Sequence, residues 1–288
     1  MPVFTYLDLG EHLLGGDMIR DITLPPVLSK DEFIKYIPKV ARTLEIGPYN
    51  RPTLLKSEYN VLYADLFTAF EIESNEARYG TETVEIPKQI DILVDPSKRP
   101  SFNTNLKFDY LYSAHNIEHH PDIVYHLIET STLAAAMHTK FFLTVPDKRF
   151  CYDHYQRESD YTDMIDAFLE QRTNHTFSSY LRANAYATHN NIWEHWHGVH
   201  GPDPRTIPIN LNYATELRHK IDRARDERQR HFADIHAWYF TPESFQYNIN
   251  MLNTLGLQPW RVEAVTQPEQ FSPEFHAVLS LTRYVNGG

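Results

Sequence analysis

The stretch Thr43-Leu-Glu-Ile-Gly-Pro-Tyr-Asn-Arg-Pro52 constrains this chain more than any other. A short run, Leu44 to Ile46, ends at a glycine, and Pro48 and Pro52 then turn the chain out of regular structure. A buried parallel strand that hands a loop to the carboxyl edge of an α/β sheet reads this way, and ligands of such sheets bind at that edge. Gly47 lets backbone approach a ligand with no Cβ between them. Eighteen residues further on, Val61-Leu-Tyr-Ala-Asp65 is a second apolar run ending in an acid. A carboxylate about 20 residues past a glycine turn is what a ribose-binding α/β fold sets beside the sugar hydroxyls.

More runs of the same kind follow at 90–94, with Asp95 behind it, at 108–112, and at 140–145, stopped by Pro146. Apolar runs of this length separated by helix-sized gaps predict a parallel sheet covered on both faces. One such gap opens at Pro121 and carries Ile123, Val124, Leu127, Ile128 and Leu133 at near-helical spacing, predicting a helix through Met137. Ser29 and Glu32 make a capping-box spacing, so a helix begins near residue 30 and ends near Pro38. Residues 235–240 read as a further strand. Thr241-Pro242 then starts a helix that Gly256 ends, and 260–265 with 275–282 alternate as a closing antiparallel pair.

The runs LEIGPYNRP, YADL, FDYLYSAHNIEHHPD and FFLTVPDKRF resemble the class I S-adenosylmethionine-dependent methyltransferases, in particular the branch with a Ser-His-x-x-Glu-His pattern after the fourth strand. The resemblance spans residues 40–150 and returns at 236–283. It implies a Rossmann-like α/β class I methyltransferase sheet, mostly parallel with the last strand antiparallel, interrupted by a helical cap insertion. The expected division is an N-terminal arm at 1–28, a cofactor-binding core at 29–150, a helical and looped cap at 151–235, and a return to the core sheet at 236–288. Helices are expected in the cap at 161–169, 178–186 and 212–230. A Trp-, His-, Gly- and Pro-rich loop at 190–208 lies between them, and a long ordered loop in a compact domain is usually functional.

By the same resemblance S-adenosylmethionine would rest on Gly47 and Pro48, with Glu45 supporting the loop or the amino group. Asp65 and Leu66 would meet the ribose, and Asp95 the adenine. Ser113, His115 and Asn116 would floor the pocket, while Glu118 and His119 brace it. The usual three-glycine spacing is absent, since Tyr49 and Arg51 stand where glycines often sit. S-adenosylhomocysteine would be the product.

Methyl transfer to oxygen requires a proton acceptor, and imidazole titrates in the right range. His154, oriented by Asp147 or by its neighbour Asp153, is the first candidate base, and His197 in the cap loop is a further catalytic candidate. His236 stands where the cap returns to the sheet. His195, His197 and His200 lie close enough in sequence to hold a metal from one loop. The preferred reading is hydrogen-bonded rings in a substrate lid, so no metal ligand is assigned, with a divalent cation as the alternative. Arg149 and Arg157 could meet an acidic group on the substrate but read more readily as surface residues.

Composition narrows the partners. A net charge of −11, with basic residues dispersed, argues against nucleic acid. No apolar run approaches the ~18 residues of a membrane span, and the start carries acids and no basic leader, so a cytoplasmic location is expected. A lone cysteine excludes an internal disulfide. Aromatic residues at 13% and 16 histidines suggest a polar organic substrate held by rings. The resemblance, and not any residue, implies a small polar acceptor such as a hydroxyl of a sugar or natural-product-like metabolite, and the protein could form a homo-oligomer. The alternatives are a non-catalytic S-adenosylmethionine-fold binding module, an NAD-dependent oxidoreductase, which would want a glycine-rich pyrophosphate turn, and a metal-dependent hydrolase on the histidine loop.

Overall fold

The structure is a computed structural model and describes residues 21–79, 87–99, 101–206, 211–225 and 234–283. Seven strands make one sheet: β1 Thr43–Ile46, β2 Val61–Asp65, β3 Ile92–Leu93, β4 Tyr110–Ala114, β5 Lys140–Pro146, β6 Trp260–Val265 and β7 Glu274–Leu281. Their order is β3-β2-β1-β4-β5-β7-β6. β1 to β5 run parallel, and β7 inserts antiparallel between β5 and β6. This is a Rossmann-like, mostly parallel sheet with its last strand antiparallel, as the sequence led one to expect. The chain leaves β1 toward β2 and β3, then crosses back to start β4 on β1's other side. The carboxyl ends of β1 and β4 therefore flank the topological switch point, where open α/β sheets bind ligands.

Side chains two apart along a strand share a face, and here the two faces feed separate cores. Leu44, Ile46, Leu111, Phe141, Leu143 and Leu279 pack against α3 (Ile123–Thr132) and α8 (Pro242–Thr254) through Ile123, Leu127, Phe245, Ile249 and Leu252. Tyr63, Tyr110, Tyr112, Phe142 and Val278 point to the other face, where they meet Leu54 and, from α1 (Lys30–Phe33) and the 3-10 turn Ile34–Tyr36 behind it, Phe33 and Ile37. The Ser29–Glu32 capping box forms as expected and the element stops before Pro38. Because β1, β4 and β5 are covered on both faces, burial does not alternate along them, and Thr43, Glu45, Ser113 and Thr144 are enclosed with the apolar residues.

Several boundaries move. The fourth strand starts at Tyr110, since Phe108 precedes it as an isolated bridge to Ala134. The helix after Pro121 begins at Ile123, capped by Asp122, and stops at Thr132 instead of Met137. Its last turn is Thr130-Ser131-Thr132, and each hydroxyl bonds back to the carbonyl three residues earlier, which competes with further winding. Residues 235–240 are not a strand. The amides of Ala237 and Trp238 both donate to the carbonyl of Glu118, and the Trp238 indole donates to the His120 carbonyl. The segment is thereby tied across the end of β4, and Phe240 alone bridges to Asp147.

In the cap region α4 is Tyr161–Leu169, α5 Phe177–Ala185, α6 Ile192–Trp196 and α7 Leu211–Ala224. The stretch expected as a loop thus contains a short helix, capped by Asn191. The expected extension of α7 toward Arg230 lies outside the described residues, as do residues 1–20 of the expected arm. Residues 21–28 lie on their own domain: the Gln267 amide donates to Pro26 and Leu28 is buried. α2 (Ala69–Tyr79) follows the end of β2.

Candidate active site

At the end of β1 Gly47 has φ +69°, and its amide donates to the Ala64 carbonyl of β2 at 2.8 Å. A Cβ there would sit 2.4 Å from Nδ2 of Asn116, so the crossing of the β1 and β4 loops leaves no room for a side chain. Two non-glycine residues beside it, Tyr49 (φ +42°) and His115 (φ +47°), also take left-handed backbone. Such conformations cost about 1–3 kcal/mol each and gather at functional sites. Here they mark the two loops of the switch point.

Asp65 ends β2 on the same edge. Its Oδ2 accepts the Tyr49 amide at 2.8 Å and its Oδ1 the Phe67 amide at 3.1 Å. Each oxygen keeps a lone pair for a hydroxyl donor, and burial pushes this carboxyl up from the usual range. The loop that follows Gly47 and the Asp65 carboxylate are therefore joined by one hydrogen bond. Leu66 and Phe70 stand exposed beside them, and the Tyr49 ring meets Phe67 edge to face at 6.0 Å.

The remaining residues of this edge divide between contact and support. Glu45 is fully enclosed and accepts the Thr53 and Leu54 amides at 2.7 and 2.9 Å. It braces the loop behind Pro48, itself buried, and does not face the edge; burial pushes Glu45 up to about 7 against those two amides. Asp95 lies after β3 and binds Ser97 and Lys98, which hold its carboxyl down at about 2. Ser113 is buried in β4. His115 reaches Glu274 of β7 at 2.5 Å, and Asn116 lies under Gly47 while its Oδ1 meets His120 Nε2 at 3.0 Å.

Beyond β5 two expectations are corrected. Asp147 does not orient His154. It is enclosed and grips the Arg149 guanidinium through both oxygens, at 2.9 and 2.6 Å. The His154 ring is instead turned by the Arg149 carbonyl, which accepts from Nδ1 at 3.0 Å and leaves Nε2 with its lone pair. The histidines that gather are His154, His195 and His200, not His195, His197 and His200. His154 stacks on His200 with ring centres 3.6 Å apart, and His195 and His200 share a hydrogen bond of 2.9 Å between their Nδ1 atoms. His197 turns back to the Trp193 carbonyl at 2.7 Å and stacks near Phe271, since α6 ends between it and His195.

Asp153, the other orienter that the sequence offered for His154, belongs to His236. Asp153 Oδ2 lies 2.5 Å from His236 Nδ1, and His236 Nε2 accepts from the Tyr152 hydroxyl at 2.7 Å. The partners are 83 positions apart, and no local spacing announces them. Next to this chain lies a polar cavity of about 340 Å³ between α4, α5 and residues 237–239, with Arg157, Arg172, Arg182 and Tyr239 in its wall. Arg157 also pairs with Asp163, whereas Arg149 is committed to Asp147.

No family model matches this chain, and no curated protein matches it. Among solved structures it is similar to a putative Zn-dependent alcohol dehydrogenase from Rhodobacter sphaeroides, with 12% identity, 87% of each chain covered and a TM-score of 0.44. It is also similar to an S-adenosylmethionine-dependent methyltransferase from Clostridium acetobutylicum, at 9% identity, 87% of this chain, 89% of the other and TM-score 0.41. A putative S-adenosylmethionine-dependent methyltransferase from Listeria monocytogenes gives 12%, 88%, 97% and 0.41. Similarities this low decide nothing about activity, which rests on the residues. No helix among the described residues is long and apolar enough to cross a membrane.

Proposed function

We propose that this protein binds S-adenosylmethionine at the β1/β4 switch point and transfers its methyl group to a hydroxyl of a small polar acceptor, such as a sugar or natural-product-like metabolite. The observation that carries this reading is the meeting of Gly47 and Asp65 on one edge, linked through the Tyr49 amide. The residues fit that cofactor: Gly47 leaves backbone bare where any Cβ would strike Asn116, and Asp65 keeps acceptor capacity for two ribose hydroxyls. Leu66 and Phe70 offer apolar surface beside that acid. When bound, S-adenosylmethionine supplies an electrophilic sulfonium methyl group.

What the protein adds is position and a proton acceptor. His154 is the proposed base, because donation of its Nδ1–H to the Arg149 carbonyl fixes the tautomer with Nε2 free to accept. His200, stacked on it, is held below the usual imidazole range by burial and by the nearby His154. The polar cavity walled by Arg157 and Arg182 is the proposed acceptor side, and its lining suits a hydroxylated or charged molecule over an apolar one.

Calorimetric titration tests the cofactor half. The protein is expected to bind S-adenosylhomocysteine and not NAD, with at least tenfold weaker binding in Asp65→Ala. Indifference to S-adenosylhomocysteine, or preference for NAD, overturns the reading. Binding without turnover over a broad panel of hydroxylated acceptors overturns its catalytic half and leaves a binding module.

A further inference from the structure

Among the described residues, two groups of side chains come close enough to share one ion: His154, His195 and His200, and Glu118, His119 and His236. They differ in how their protons are accounted for. In the first, the His195 Nε2–H donates to the His189 carbonyl, so its Nδ1 accepts, and His200 supplies the Nδ1–H that fills it. The His195–His200 pair is thus satisfied by protons, and the group holds no buried carboxylate.

The second group holds one. Glu118 is fully enclosed, and neither carboxylate oxygen has a hydrogen-bond donor among the described residues. Its Oε1 instead faces three imidazole nitrogens, His119 Nε2 at 3.6 Å, His236 Nε2 at 3.8 Å and, from a half-exposed ring already bonded to Glu274, His115 Nδ1 at 3.8 Å. Acids lie behind the His119 and His236 rings: His119 Nδ1 lies 3.0 Å from Asp234, and His236 Nδ1 lies 2.5 Å from Asp153. The Asp153 carboxylate places the His236 proton on Nδ1, so its Nε2 presents a lone pair, whereas His119 Nδ1 lies near Asp234 without forming a hydrogen bond. The Glu118 carboxylate and two imidazole Nε2 atoms thus converge in a buried pocket, where the Tyr152 hydroxyl donates to His236 and both Glu118 oxygens lack a donor among the described residues. A buried carboxylate so placed calls for an ion, a proton or water.

We propose that Glu118, His119 and His236 form a binding site for one divalent transition-metal ion of the zinc class. The spans of 3.6 and 3.8 Å are too long for hydrogen bonds, yet they are what two ligands subtend when each lies about 2.0–2.2 Å from a shared ion. Two imidazoles and one carboxylate suit Zn²⁺ or Co²⁺ and not Mg²⁺ or Ca²⁺, which take oxygen ligands. Carboxylates backing the ligating histidines are the usual outer shell of such sites. The backbone fixes the assembly, because the Glu118 carbonyl receives the Ala237 and Trp238 amides and so holds His236 against it. The Tyr152 hydroxyl, 2.7 Å from His236 Nε2, donates to the same lone pair and is the competitor that an entering ion displaces. The site stands whether or not the protein transfers methyl groups, since its ligands are independent of Gly47 and Asp65.

The test uses the full chain after chelator treatment. Zn²⁺ titration is expected to give one tight equivalent, and Co²⁺ a visible ligand-field spectrum, neither relieved by excess Mg²⁺. Glu118→Gln is expected to weaken Zn²⁺ at least 100-fold and Asp153→Asn 10- to 100-fold. Tyr152→Phe should bind as tightly as the parent or tighter, and His195→Ala should bind unchanged. Anomalous diffraction at the zinc edge covers the case in which a buried variant fails to fold: a peak between Glu118 and the two Nε2 atoms supports the site. Absence of stoichiometric Zn²⁺ binding, which would mean that a protonated His119 alone balances Glu118, overturns it. So does binding that survives Glu118→Gln and is lost in His195→Ala.

Discussion

At Gly47 one hydrogen atom separates a working loop from a collision. Gly47→Ala would put a methyl group 2.4 Å from Asn116 and hold an L-residue at φ +69°. The left-handed backbone alone costs about 1–2 kcal/mol. Thermal melts should show that loss, and calorimetry should show weakened S-adenosylhomocysteine binding as the β1 loop moves off Asp65. His154→Asn separates chemistry from binding: kcat is expected to fall about 10²-fold or more with S-adenosylhomocysteine affinity unchanged, which steady-state kinetics with a productive acceptor would measure. An unaltered kcat would move the base to another residue. Glycine, proline and strand-end acids were legible at this scale because each acts on its own backbone. The partner of a histidine was not, since Asp153 meets His236 across 83 positions.

Among the elements, α3 and the strands it covers carry the larger core. Leu127 is fully buried, and the carbonyl of the same residue accepts the Trp260 indole of β6 at 2.9 Å. Leu127→Ala should lower unfolding free energy by about 2–5 kcal/mol through lost transfer energy and the cavity left behind. Urea denaturation checks it, and a cost below 1 kcal/mol would mean that this face repacks freely. β4 and β5 were readable because full coverage favours apolar residues on both faces, and β1 because its Gly47-Pro48 turn marks its end. Residues 235–240, with Trp238, Tyr239 and Phe240, look the same in sequence and are buried for a different reason: they cross the end of β4, bonded to Glu118. Periodicity reports burial and is silent about which surface does the burying.

Over the whole molecule, acid sensitivity follows from histidines enclosed in the fold. Burial lowers His276 to about 4 and His126 to about 3, whereas an unfolded histidine titrates near 6.5. With the folded value depressed, the unfolded chain takes up protons first. These groups therefore favour the native state above pH 6.5 and progressively disfavour it as pH falls through 6.5 toward 4. Glu45 has the opposite sign: pushed up to about 7, it favours the fold below its ordinary range and loses that contribution as pH rises through 7. His276 also stacks on Phe33 and bonds Thr144 at 3.1 Å, linking α1 to β5 and β7. The fall in melting temperature between pH 7 and pH 5 is expected to be smaller in His276→Gln than in the parent. An equal or steeper fall would show that His276 takes up its proton without opposing the fold.

The sequence by itself determined the sheet, its carboxyl-edge loops and the positions of Gly47 and Asp65, because a strand, a turn and a cap are each set by residues a few places apart. Only the tertiary structure decided that Asp147 serves Arg149, that His154 joins His195 and His200 while His197 turns away, and that Glu118 lies enclosed against His119 and His236. Those pairings form when β4, the segment after β5 and residues 234–240 are brought to one edge. Hydrogen bonds and charges act over a few ångströms of space, whatever length of chain lies between the groups.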